Sequence, residues 1–231
     1  MRSFIALVAL CFIGVPAWAH SLDEVQADLM RRESHVSFEP GIGTPFPSFR
    51  LTDPDGRAVS SADLLGQVVV LDFIYASCAD TCPAQSEAMA RIQQDVATGH
   101  MADRVRFVSI TIDPERDTPA VRKAYGAPLG LDPSNWTFLA AATGPDARAL
   151  AARAGLTFAP RPDGSFDHAV VTYVIDDDGK LRARFSGLTF EPLNAVVYIN
   201  ALVNDPHHRP ASGAASGESA PSAWARLKAL F

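Results

Sequence analysis

Hydrophobic residues fall into short, dense runs separated by polar, turn-rich segments. The densest is Val68–Tyr75 (VVVLDFIY), almost wholly apolar and rich in β-branched residues, as a strand buried on both faces would be. Val105–Ile112 (VRFVSITI) and Trp136–Ala140 (WTFLA) read as further buried strands. Between these runs the spacing turns helical. Ala84–Ala97 follows Pro83, which suits a first helical position; Thr118-Pro119 opens the helix AVRKAY; Asp146–Ala154 is ended by Gly155. Farther on, Ala169–Ile175 and Leu181–Phe185 flank the turn Asp176-Asp177-Asp178-Gly179, and Glu191–Asn204 closes as a helix. Ahead of the first long strand, Phe49–Thr52 and Arg57–Val59 surround Asp53-Pro54-Asp55-Gly56, which predicts an N-terminal β-hairpin. Strands alternating with helices, then a hairpin and a helix, predict an α/β fold with a mixed sheet flanked by helices.

The ends read differently. Residues 1–19 carry one arginine, an apolar stretch from Phe4 to Val15 and then Ala17-Trp18-Ala19, the pattern of a secretory signal peptide. A spanning helix needs about 20 apolar residues, so cleavage near Ala19 is a better reading than a retained anchor. The expected location is therefore the periplasm or another extracytoplasmic space. Residues 20–42 are charged and mildly amphipathic, an arm that is a short helix or loose; residues 43–204 form the globular domain. Residues 205–231 contain PASGAASGESAPS and predict a flexible tail. In the alternative, Trp224, Leu227 and Phe231 share a helical face that rests weakly on a membrane surface or a partner.

Composition narrows the partners. The chain has 20 basic and 26 acidic residues; loss of Arg2 with the leader leaves 19 against 26, a net charge of −7. No basic patch is present, so nucleic acid is not expected as a partner. Of three cysteines, Cys11 lies in the leader, and Cys78 and Cys82 remain. A disulfide across so short a loop adds little fold stability, so stapling is a poor reason for the pair.

The pair follows the strongest strand and precedes a helix, at the carboxyl end of a strand in an α/β sheet, where ligands bind. Cys82 is predicted at the helix N-terminus with Cys78 in the loop before it, where unpaired N–H groups and the helix dipole lower thiol pKa values. Asp80 and Thr81 between the cysteines predict an exposed segment. A spacing of four can bring both sulfurs to one side of the first turn, for a disulfide or a two-sulfur metal clamp. The spacing alone occurs by chance, and two inert cysteines are the plain alternative. Among the histidines, His168 stands out because it directly precedes the strand AVVTYVI; a lone histidine is more often structural than a ligand. Two thiolates and an imidazole would suit Cu(I) better than structural zinc, which wants four protein ligands.

Three blocks taken together, VVLDFIYASCADTCP, VRFVSITIDPERDTP and DGSFDHAVVTYVIDDDGK, resemble the Sco/SenC family of copper-handling proteins with a thioredoxin-like fold. The resemblance spans about residues 43 to 203. It implies a thioredoxin-like, peroxiredoxin-related domain that ligates copper, as Cu(I) or Cu(II), through Cys78, Cys82 and His168. It further implies a monomer that assists assembly of the dinuclear Cu-A centre of cytochrome c oxidase, as a copper donor to the copper-site subunit or another acceptor. The alternative role is a thiol–disulfide oxidoreductase, with Cys78 and Cys82 as the redox pair reducing cysteines of the apo-oxidase subunit or other periplasmic proteins. Many family members have proline after the first cysteine; here it is Ala79. Asp113 and Asp117, in the second block, read mainly as parts of a structural loop. A thiol peroxidase is a third reading, suggested by FRLTDPDGRAVSSADLLGQ but lacking a supporting arginine motif. Cleavage after Ala19 would also expose His20, whose amine and imidazole could chelate Cu(II); an ordinary cleavage junction is the simpler view.

Overall fold

The computed structural model describes residues 21–38 and 43–205. The expectations for the leader, His20 and the tail beyond Asp205 lie outside these residues.

In chain order the elements are α1 (Leu22–Arg32), β1 (Val36–Phe38), β2 (Thr44–Pro45), β3 (Arg50–Thr52), β4 (Ala58–Ser60), a 3-10 turn (Ser61–Leu64) and β5 (Val68–Ile74). They continue with α2 (Cys82–Thr98), β6 (Val105–Thr111), α3 (Pro119–Tyr125), a second 3-10 turn (Ala127–Leu129), β7 (Trp136–Ala140) and α4 (Gly144–Arg153). The last are β8 (Phe158–Pro160), β9 (Phe166–His168), β10 (Val171–Ile175), β11 (Lys180–Ser186) and α5 (Pro192–Asn204).

Among the described residues nine strands form one sheet, in the order β1-β11-β10-β5-β6-β7-β3-β4, with β2 also on β11. β5, β6 and β7 run parallel, joined by α2 and α3 as crossovers; the other pairings are antiparallel. β5 is buried at every position, which is why its sequence shows no alternation. The expected N-terminal hairpin is β3–β4, with Leu51 opposite Val59, and it joins the sheet edge through Thr52 and Ala140.

Helix starts follow local chemistry. Ser21 and Glu24 form a reciprocal capping box on α1, and the Thr118 and Thr143 hydroxyls accept backbone N–H groups at the starts of α3 and α4. The arm is ordered against the domain: α1 packs on α5, Leu29 is buried, and β1 pairs with β11. On the same side α5 packs against α2 and β5.

Candidate metal centre

At the carboxyl end of β5 the chain turns sharply, and two acceptors hold the turn. The Tyr75 carbonyl accepts the Cys78 N–H at 3.1 Å, and a carboxylate oxygen of Asp117 accepts the Ala76 N–H at 3.0 Å. α2 then begins at Cys82. Thr81, in the cap position, gives no side-chain hydrogen bond to the helix; the Cys78 sulfur accepts the Cys82 N–H at 3.3 Å. One sulfur thus takes over part of the work of a capping oxygen.

One expectation is corrected here. The segment is exposed only at Ser77, Ala79 and Asp80; both thiols turn inward, Cys78 at 7% exposure and Cys82 at 0%. Between the cysteines Ala79 and Asp80 face water and Thr81 is half-buried. The expected depressed thiol is Cys78, while the helix-terminal Cys82 moves the other way. Cys78 takes a hydrogen bond from the Cys82 thiol, which outweighs its burial, and is helped by His168 and by the backbone N–H groups of Cys82 and Asp80. For Cys82 the same hydrogen bond works in reverse: donating its proton to Cys78, and buried besides, it is pushed up. Both cysteines are free thiols.

His168 comes from a separate element. β8 and β9 pair only with each other among the described residues, with Phe158 opposite His168. The imidazole lies against the Phe158 ring, centroids 4.7 Å apart, and meets the Tyr75 ring at 6.2 Å. Nδ1 lies 3.0 Å from the Ala169 carbonyl oxygen; with Nδ1 protonated and donating there, Nε2 is left as the nitrogen for a metal. Burial works against the charged ring, yet the Cys78 thiolate and the Ala169 carbonyl raise the His168 pKa overall.

One donor atom from each of Cys78, Cys82 and His168 lies within 4.8 Å of the other two. Two sulfurs and an imidazole nitrogen form a soft, low-coordinate donor set, which fits Cu(I). His35 and His100, by contrast, are exposed and are not part of this cluster.

The DPERDTP loop braces both sides. Besides the Ala76 N–H, buried Asp117 accepts the Thr111 hydroxyl. Asp113 pairs with Arg116, whose guanidinium donates to the Gly164 carbonyl in the β8–β9 turn at 2.6 Å. Two residues escaped the sequence reading. Tyr75 gives its phenol oxygen to the Phe166 N–H at 3.2 Å. Asp72 lies inside β5 at 0% exposure, and neither carboxylate oxygen has a hydrogen-bond partner. It sits opposite Thr172 and Ser109; the Ser109 hydroxyl is engaged with Met89 of α2 and with Trp136, so this face lies under α2. Burial pushes the Asp72 pKa up to about 7. A single acid in VVVLDFIY was the available signal for Asp72; nothing in the sequence marked Tyr75.

Comparison with known proteins gives the family. The SCO1/SenC family model matches residues 43–204. The SCO1 protein homolog of Bacillus subtilis is 27% identical over 151 residues, 64% of this chain and 77% of that protein. A SCO1/SenC family lipoprotein from Bacillus anthracis superposes with TM-score 0.66 at 26% identity, covering 72% of this chain and 99% of that one. Bradyrhizobium japonicum ScoI, solved with copper bound, superposes with TM-score 0.57 at 30% identity, covering 70% and 99%. The fold neighbour BsSco is a member of the Sco family of cytochrome c oxidase assembly proteins. With the family model spanning residues 43–204, which hold every strand of the sheet but β1 and all three candidate donor residues, this chain belongs to the SCO1/SenC family.

Proposed function

We propose that this chain is an extracytoplasmic copper metallochaperone that holds copper through Cys78, Cys82 and His168 and passes it on in assembly of the Cu-A centre of cytochrome c oxidase. The observation that carries the reading is the convergence of the three donor atoms within 4.8 Å at the end of β5. In a SCO1/SenC chain with a copper-bound relative, copper is the metal those donors suit.

The residues divide the work. Cys78 supplies a ready thiolate, because its hydrogen bonds favour the charged form. Cys82 keeps its proton until a cation arrives, so metal uptake releases protons. His168 completes the set from the hairpin, with the Ala169 carbonyl fixing the tautomer. Transfer proceeds by exchange of these ligands for those of the acceptor, and oxidation of the dithiol removes both sulfurs from the set. The signal-like leader supports a location outside the cytoplasm, and among the described residues no helix is long and apolar enough to cross a membrane.

Titration of the reduced protein with Cu(I) tests the reading. One tight equivalent is expected, lost in Cys78→Ala and Cys82→Ala and weakened in His168→Ala. Absence of a tight site in the reduced protein would overturn it.

The second reading is a thiol–disulfide oxidoreductase, favoured by the opposite displacement of the two thiol pKa values. The Cys78 thiolate would attack a disulfide of the substrate protein and release one substrate thiolate. Cys82 would then displace the other substrate sulfur, leaving Cys78–Cys82 oxidised and the substrate reduced by two electrons. That chemistry needs no imidazole. Oxidase assembly fully supported by a His168→Ala protein would favour it over copper delivery.

A further inference from the structure

The hairpin bearing His168 shares no backbone ladder with the nine-stranded sheet among the described residues. Side chains and loop contacts therefore hold it in place, and one side chain also belongs to the cysteine half. Tyr75, buried at the end of β5, accepts the Cys78 N–H with its carbonyl and the Phe166 N–H with its phenol oxygen. Its ring stands edge-on to Phe166 at 5.3 Å and to His168 at 6.2 Å. Arg116 and Arg148 also touch the hairpin, at the Gly164 carbonyl and over the Phe166 ring, 5.5 Å from its centroid. Tyr75 differs from them in bonding directly to Cys78 as well.

Phe166 and His168 are two apart on β9, so their side chains leave the strand on the same side. Fixing the backbone at Phe166 consequently fixes the direction in which the imidazole points. We propose that Tyr75 is the positioning residue of the metal centre, its phenol oxygen latching the hairpin so that His168 stays in range of both sulfurs. The proposal rests on the copper-binding reading for its consequence, but the latch exists in the metal-free protein and can be tested there.

Tyr75→Phe keeps the ring and deletes only the oxygen. In the metal-free protein, amide hydrogen exchange at Phe166 is expected to rise about three- to tenfold, the factor of one ordinary hydrogen bond. Protection in β5 and β6 should be unchanged. In the Cu(I)-loaded protein, release to a competing chelator is expected to speed by a similar factor, about three- to tenfold. The same substitution made in a His168→Ala background should leave release unchanged. Unaltered exchange at Phe166 would overturn the proposal, as would loss of protection throughout β5, which would make the phenol a core support. An equal acceleration of release with and without His168 would also overturn it, by showing that Tyr75 acts on the cysteines alone. If the parent protein takes up no Cu(I), the copper reading fails, and exchange at Phe166 alone decides the latch.

Discussion

Cys78 and Cys82 stand on a loop and helix rooted in the central strand β5, while His168 stands on a two-stranded hairpin outside the sheet. On the cysteine side the positions are anchored by the central strand β5, which leads directly into the loop: the Tyr75 carbonyl accepts the Cys78 N–H, the Cys78 sulfur accepts the Cys82 N–H, and the carboxylate of buried Asp117 accepts the Ala76 N–H. On the histidine side they are fixed by side chains, from Tyr75, Arg116 and Arg148. Part of the histidine side can therefore loosen while the cysteine side stays intact. For the copper carrier proposed above, which would have to hold a cation and surrender it, one ligand on a less firmly held element would be an advantage.

The contrast is broken most severely at Asp117. Asp117→Ala leaves the Ala76 N–H and the Thr111 hydroxyl without their acceptor in a buried place. Global unfolding free energy should fall by about 2–4 kcal/mol, measured by denaturant titration. Asp72, on the same side, gives a pH signature. Its native pKa of about 7 lies above the ordinary 3.8, so the folded state binds the proton more tightly than the unfolded chain. Its contribution to stability is complete below pH 3.8 and is lost as pH rises through about 7. Asp72→Asn should remove that slope, gaining relative to the parent, between acid and pH 8, by an amount on the order of 4 kcal/mol if the whole shift is realised. An unchanged slope in the variant would place the ionised carboxylate in contact with water.

Smaller effects are expected across the site. Thiolate absorbance in the ultraviolet should persist, at one thiolate per chain, well below the ordinary thiol pKa of 9.0, and vanish in Cys78→Ser. Equal titration of both thiols in the ordinary range would contradict the asymmetry. On the histidine side, Arg116→Ala removes one hydrogen bond to Gly164 and the half-exposed partner of Asp113, whose carboxylate is itself buried. Global stability should fall by about 1 kcal/mol, less than for Asp117→Ala, while amide exchange rises across residues 158–168. A global loss as large as that of Asp117→Ala would erase the difference between the two sides.

The sequence carried the long elements well, because burial writes itself into composition. β5, β6 and β7 announce themselves as dense, mostly apolar runs, and Pro83, Thr118 and Pro119 mark helix starts. The short strands β8 and β9 were hidden: three residues each, around the turn-rich RPDGS, show no period to read. Polar Asp80 and Thr81 suggest that the whole segment is exposed, yet the loop exposes Asp80, leaves Thr81 half-buried and buries both cysteines. The convergence of His168 on residues about ninety positions earlier is tertiary; its place directly before a strand singles it out, and the resemblance implies the contact. The Tyr75 contact with Phe166, 91 residues apart, left no local trace at all.

Copper K-edge X-ray absorption on the reduced, Cu(I)-loaded protein, with and without His168→Ala, tests the three-donor centre most directly. Two sulfur scatterers and one nitrogen are predicted for the parent, and two sulfurs with the imidazole signal gone for the variant. A parent spectrum without a histidine nitrogen, or identical spectra from both proteins, would contradict the account.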